Sequence, residues 1–226
     1  MINITDISTL QLDYIAEIYQ ASVIETNGQP TLIPSADLAQ RLNNSQSSVN
    51  RVIERLRDAQ LVQHERYIGV GLTASGEQIA RALLRKQAII ECFLLEVMGF
   101  QWHEIYAEAQ KLRHGVNEAV LERMFQLAQR PTKSPFGEWI DPLPGHTPTQ
   151  ILLTTAAVKQ RYTINRVLTR QSDRLSYLSA LGLQPDCEIY LIHKAPFHGP
   201  LQIQLAREYR ILGYDLANLL TVKPVP

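Results

Sequence analysis

The chain has 226 residues with 22 basic and 22 acidic side chains, so its formal net charge is zero. That balance excludes a globally basic nucleic-acid binder, and any such activity has to rest on a local motif. A hydrophobic fraction of 45% and a charged fraction of 19% exclude a disordered chain and describe a globular protein of one large domain or two to three small ones.

The two cysteines, Cys92 and Cys187, fit no zinc or CxxC spacing. Cys92 lies inside the apolar run AIIECFLLEVMGF and reads as a buried thiol. The opening MINITDISTL lacks the basic start and long apolar stretch of a signal peptide. The longest apolar run, around residues 88–100, carries Glu91 and Glu96 and is too short to span a bilayer. A cytoplasmic protein with no membrane partner is expected.

In chain order, Leu12, Ile15, Ile18 and Tyr19 recur at helical spacing after the capping residues of 6–9. ETNGQPTLIPS punctuates the chain with Gly28, Pro30 and Pro34. SADLAQRL predicts a short helix with Ser35 as N-cap, NNS a turn, and SSVNRVIERLRDAQLV a second helix with the stripe Val49, Val52, Ile53 and Leu56. VQHERYIGVGLTASG predicts two short strands around a turn near Arg66–Gly69, closed by Thr73 capping the next helix. A long helix is predicted over 75–98, ended by Gly99, then one marked by Trp102, Ile105, Ala109 and Leu112 and another by Val116, Val120, Met124 and Phe125. RPTKSPFGEWIDPLPGHTPTQ, with five prolines, predicts a linker or irregular crossing with a boundary near 140–150. Beyond it ILLTTAAV, YTINRVLT, CEIYLIHKA and LQIQLA are strand-like, while RLSYLSALGL and LGYDLANLL read as short helices.

Two short helices, a tight turn and a two-stranded wing make a winged helix-turn-helix pattern. Such a motif lays its second helix in the major groove and presents that helix's N-terminal residues to base edges. Here these are Ser45, Gln46, Ser47, Ser48, Asn50 and Arg51, short hydrogen-bonding groups plus one arginine able to grip guanine O6 and N7. Arg66 and Tyr67 of the wing, with Ser48, are expected on phosphates. Against this, residues 1–75 hold five arginines and eight carboxylates. The segment is acidic on balance, which implies modest non-specific affinity and reliance on a dimer to double the contacts.

With that wing followed by a long helix and YAEAQKLRH, the chain resembles the diphtheria-toxin-repressor and manganese-transport-regulator family. The resemblance rests on DYIAEIY, RYIGVGLTASGEQIA, ECFLLEVMGFQWHEIYAEAQKLRHGVNEAVLERM and SPFGEWI. LSYLSALGLQPDCEIYLIHKAPFHGPLQIQL is similar to the SH3-like barrel of such proteins and of ferrous-iron transport accessory proteins. The resemblance implies a mainly α chain with small β parts in three domains: a winged helix-turn-helix over 1–74, a helical dimerisation and ancestral metal-binding domain over 75–145, and an SH3-like barrel over 146–226. It also implies a homodimeric, sequence-specific transcriptional regulator of the repressor type, binding double-stranded operator DNA under control of Mn²⁺ or Fe²⁺.

The ligand positions that the resemblance implies are largely substituted. Asp13 matches the first-helix ligand, but Ala16 stands where manganese-type members add an acid. The later-helix pattern of acid or cysteine, acid, histidine is Gln110, Arg113 and His114; the long-helix histidine and acid are Gln87 and Glu91; Tyr106 replaces another histidine. The barrel's acid and glutamine fall near Gln171 and Arg174. Arg113 places a permanent cation where an anion is needed, and two like charges at contact cost about 4 kcal/mol at an effective dielectric of 20. Three outcomes stay open: a direct Asp13–Arg113 bridge in place of the ion; a shifted ion site drawn from Asp13, Glu91, Glu108, Gln110 and His114; or another effector, including redox change at Cys92.

His103, His193 and His198 read as surface or turn residues. No nucleophile–base pair, phosphate-cradling glycine loop or HExxH motif marks an enzyme. A protein-interaction module without specific DNA binding is the alternative function, with the acidic balance of residues 1–75 as its support.

Overall fold

The computed structural model describes residues 7–25, 32–141 and 151–225. Residues 26–31 of the punctuated stretch ETNGQPTLIPS and the linker residues 142–150 lie outside them. The chain divides into two compact units, Met1–Lys86 and Gln87–Pro226.

In the first unit, α1 (Thr9–Glu25) begins at a reciprocal cap: Ser8 N donates to Gln11 Oε1 at 2.9 Å, and Gln11 N donates to Ser8 Oγ at 3.3 Å. Helical spacing then buries Tyr14, Ile15, Ile18 and Ala21. α2 (Ser35–Arg41) contributes Leu38 to the same core. Its cap position is Pro34, with no side-chain cap bond, so Ser35 opens the helix rather than capping it. Asn43, at φ 49°, turns the chain into α3 (Gln46–Asp58), whose buried stripe is Val49, Val52, Ile53 and Leu56. β1 (Val62–Glu65) and β2 (Gly69–Leu72) pair antiparallel, Val62 opposite Leu72. Ile33 adds a bridge to Val70 with two backbone hydrogen bonds of 2.8 and 2.9 Å. Thr73 caps α4 (Ala74–Glu96): its Oγ1 accepts from Gly76 N at 3.2 Å. The boundary between the units falls within α4.

In the second unit, α4 stops where Gly99 adopts φ 72°, and α5 (Ile105–Leu112) and α6 (Glu118–Leu127) follow. Asn117 caps α6, accepting from Val120 N at 3.0 Å, and the buried face carries Leu121 and Phe125. Val120, assigned to that stripe from sequence, is exposed.

Six strands form one sheet: β3 (Ile151–Leu152), β4 (Gln160–Val167), β5 (Glu188–Lys194), β6 (Leu201–Leu205), β7 (Glu208–Leu212) and β8 (Leu220–Pro224). Their order is β3-β8-β4-β5-β6-β7, every described pairing being antiparallel. β7 and β3 are the two ends of that order, so the expected barrel is not closed among the described residues. α7 (Ser172–Ala180) and α8 (Tyr214–Ala217) complete a chain of mixed helix and sheet. Strands β7 and β8 have no counterpart in the sequence reading, and LGYDLANLL is helical only over α8.

The second unit has one apolar core, shared by α4–α6 and the sheet. Its joint is RPTKSPFGEW, expected to be a linker or irregular crossing. Phe136 is 0% exposed, and its carbonyl accepts from Val167 N at 3.0 Å. Gly137, at φ 91°, lies so close to β4 that a Cβ would sit 2.1 Å from the Asn165 carbonyl oxygen. Phe136→Ala should destabilise the second unit by about 3–5 kcal/mol in denaturant titration, and Val158→Ala, at an exposed position, should stay within about 0.5 kcal/mol.

Candidate functional site

In the first unit, Ser45 caps α3. Its Oγ accepts from Ser48 N at 3.3 Å and donates to Ser48 Oγ at 2.9 Å, with Ser47 Oγ 3.1 Å away. Asn44 Nδ2 donates to the Tyr14 hydroxyl at 3.4 Å, tying the turn to α1. Ser45, Gln46, Ser47, Ser48, Asn50 and Arg51 are all exposed, whereas Val49, Val52, Ile53 and Leu56 of the same helix are buried. Helical periodicity thus splits α3 into an anchored face and a polar face that carries every predicted base contact. Ser48 has both its N–H and its hydroxyl engaged by the cap, so it stiffens the start of the helix. At the β1–β2 turn, Tyr67 takes φ 67° and the Arg66 guanidinium lies 5.0 Å from its ring centroid. Both side chains are exposed.

In the second unit, the positions expected to hold an ion form a hydrogen-bonded polar centre. Gln87, Glu91 and Arg113 are 2%, 4% and 3% exposed. Arg113 Nη1 donates to Gln87 Oε1, and Gln87 Nε2 donates to Glu91 Oε1 at 2.8 Å. Arg113 Nε also reaches His114 Nε2 at 3.4 Å. Gln110 Nε2 donates to the Tyr106 hydroxyl at 3.2 Å, and Glu108 pairs with Lys111 at 2.6 Å. Asp13 stands on α1, in the first unit. Of the expected ligands, Glu91 is the buried carboxylate, Glu108 is tied to a surface lysine, and Gln110 points its amide at a phenol. No group of three or more His, Cys, Asp or Glu side chains able to hold a metal ion occurs among the described residues. A buried guanidinium already donating to Gln87, beside a carboxylate already accepting from it, is a donor set that does not fit a divalent ion.

A second cluster was not legible as such in the sequence. Glu138 Oε1 accepts from Arg166 Nη2 at 3.0 Å and from Arg170 Nη2, while Ser134 Oγ donates to Oε2 at 2.7 Å. Gln171 and Arg174, aligned with the family's barrel ligands, are exposed; their neighbour Arg170 turns inward. The available signal was an acid inside the apolar SPFGEWI together with arginines four residues apart at 166 and 170.

Burial pushes the Glu91 carboxyl up to about 8, against the pull of Arg170, the Gln87 hydrogen bond and Arg113. Burial works on Glu138 in the same direction, but the Arg170 and Arg166 guanidiniums overcome it and hold that carboxyl at about 2. Burial likewise lifts the Cys92 thiol to about 12. That thiol sits 3.4 Å from the Lys133 carbonyl oxygen and is a poor redox sensor.

Three family models match consecutive stretches of the chain: the iron dependent repressor N-terminal DNA binding domain over residues 7–70, the iron dependent repressor metal binding and dimerisation domain over 73–142, and the FeoA domain over 151–224. The chain is 35% identical over 112 residues to an uncharacterized HTH-type transcriptional regulator of Methanocaldococcus jannaschii, covering 50% of this chain and 86% of that protein. It is 33% identical over 131 residues to the iron-dependent repressor IdeR of Mycobacterium tuberculosis, covering 57% of this chain and 55% of that one. The chain thus spans about half the length of the iron-dependent repressors it matches.

Among solved structures, a manganese-dependent transcriptional repressor in complex with manganese superposes with a TM-score of 0.85 at 25% identity, over 95% of this chain and 100% of that one. ScaR with bound Cd²⁺ gives 0.79 at 27% identity, over 95% and 99%. These matches define a class, metal-dependent transcriptional regulators built on a DNA-binding head. Within it, the chain belongs to the iron-dependent repressor family of diphtheria-toxin-repressor and manganese-transport-regulator type.

The two carboxyls set opposite pH dependences. Between its ordinary value of 4.5 and about 8, Glu91 keeps a proton in the folded chain that the unfolded chain has released. Stability therefore falls as pH rises through that window. Glu138 contributes stability that is present above 4.5 and lost as pH drops towards about 2. Melting temperatures across pH should show Glu91→Gln flattening the fall towards pH 8 while leaving the acid limb in place.

Proposed function

We propose that this chain is a sequence-specific, DNA-binding transcriptional regulator of the repressor type, acting as a homodimer on double-stranded operator DNA. Its first segment, 1–74, works as a winged helix-turn-helix, 75–145 as the helical dimerisation segment, and 146–226 as an SH3-like appendage. The observation that carries the reading is the polar face of α3, capped at Ser45 and held rigid by the buried stripe beneath it. Gln46, Ser47, Asn50 and Arg51 read bases; Ser48, Arg66 and Tyr67 hold phosphates. Exposed Val97, Met98, Leu112, Val120 and Leu127 on the helical segment favour self-association.

The relatives are named for iron or manganese, and the manganese-dependent repressor solved in complex with manganese carries that ion itself. In this chain a guanidinium holds the position of a family acid, so we read the regulator as competent for DNA without a divalent ion. Arg113 links Gln87 of α4 to the end of α5, an arrangement that an ion would otherwise have to supply.

Selection of genomic fragments with the purified protein should enrich a short, roughly two-fold symmetric site. A protein-interaction module, the reading favoured by the acidic balance of residues 1–75, would enrich nothing. On the enriched site, Arg51→Ala should cost on the order of 1–3 kcal/mol at one base position in competition binding. A loss spread evenly over all sequences would make Arg51 a phosphate contact instead.

A further inference from the structure

The hairpin that joins β5 to β6 ends in a turn whose residues do not suit its backbone. Ala195 N donates to the Pro200 carbonyl and Gly199 N to the Pro196 carbonyl, each at 3.0 Å, so Phe197 and His198 are the two central residues. Both hold positive φ, 57° and 55°, the pairing of a type I′ turn that Asn-Gly ordinarily supplies. A bulky side chain in that region is strained. Phe197 recovers nothing by packing, since it is 100% exposed. His198 makes one contact: its ring stacks on Tyr214 of α8, centroids 4.4 Å apart and planes tilted by 31°. The turn thus holds an imidazole in place at the expense of its own backbone, as binding sites do and plain connections do not.

That imidazole borders a cavity of about 280 Å³, just below the size of drug-sized ligand pockets and suited to a compact ligand. Tyr214, Lys194 at the end of β5 and Thr154 beyond β3 complete its polar lining. Lys194 Nζ donates to the carbonyls of Thr154 and Ala156 at 3.0 and 2.9 Å. An ammonium carries three N–H groups, so these two bonds fix it and leave one over. Thr154 Oγ1 is engaged with Asn218 Oδ1 at 2.9 Å. No carboxylate lines the cavity, and the partners of Lys194 among the described residues are those two carbonyls. The space therefore holds one anchored positive charge, flanked by an imidazole and a phenol.

We propose that this cavity of the C-terminal segment binds a small oxyanion, the carboxylate or phosphate group of a compact ligand. Lys194 supplies the charge, and the His198 imidazole and Tyr214 hydroxyl donate to the ligand's other oxygens, the charge-assisted pattern that holds anions most tightly. A cation would be repelled by Lys194 and would find no acid to bind. A purely apolar occupant would strip water from the ammonium and return no partner for its third N–H. The site lies wholly in the C-terminal segment, so it stands or falls independently of operator reading by α3 and of the Arg113 centre.

The test is titration calorimetry on the full chain at constant ionic strength, with inorganic phosphate in one arm and benzoate in the other. Wild type should bind at least one of them saturably, with a dissociation constant of about 1 mM or tighter. Phosphate alone would mark a phosphate-bearing ligand, benzoate alone a carboxylate. His198→Gly removes the imidazole and places at that positive φ the residue best suited to it. That variant should melt within a few degrees of wild type and yet bind on the order of tenfold more weakly. Tyr214→Phe, which removes one hydroxyl, should weaken binding on the order of fivefold. Lys194→Met should abolish it; if that variant does not fold, the other two carry the test. The proposal is overturned if neither probe binds wild type, or if His198→Gly and Tyr214→Phe both bind with wild-type affinity.

Discussion

A carboxylate buried in an apolar helix bundle has to be protonated, hydrogen-bonded or matched by a cation, and Glu91 imposes that requirement on the whole second unit. Gln87, one turn earlier on α4, answers it with a hydrogen bond, and Arg113 at the end of α5 engages the other end of the same amide. Two separate stretches of sequence, α4 and the end of α5, are therefore drawn to one buried acid. The apolar core that α4–α6 share with the sheet closes around the result. Phe136, in face contact with Arg170 and near Trp102 and Tyr106, is where the polar and apolar parts of that arrangement meet.

An ion that links helices does so by collecting oxygen and nitrogen donors around a positive charge. In the function proposed here the Arg113 guanidinium plays that part without leaving when the ion concentration falls, because arginine stays charged at any pH a protein survives. Exchanging one acid for Arg113 would, on that proposal, turn a conditional link into a permanent one, with any regulation moved to expression level, dimerisation or the operator itself. In the proposed regulator, the acidic balance of the first unit limits non-specific attraction and leaves recognition to the few exposed, capped side chains of α3.

Elements with a strong local signal were legible in the sequence. The α3 stripe, the Thr73 cap and the Gly99 stop each follow from spacing or from one residue's conformational preference. Strands β7 and β8 were not, because EYRIL and LTVKP are short and draw their stability from neighbours rather than from their own pattern. The proline count of 131–150 suggested a linker or irregular crossing, yet Phe136 and Gly137 lock its first part against β4. At the candidate centre, the substituted positions were visible one by one, but their closure was not. That Gln87 bridges Arg113 and Glu91 depends on two helices meeting at one place, and that Arg170 turns inward while Gln171 and Arg174 face outward depends on the chain path after β4.

The central claim is that a guanidinium-filled centre makes the divalent ion dispensable. The most direct measurement is affinity for the selected operator in excess chelator and again in saturating Mn²⁺ or Fe²⁺, on the same protein preparation. The account predicts dissociation constants equal within about twofold, less than about 0.4 kcal/mol apart. A loss of tenfold or more in chelator, restored by metal, would contradict it.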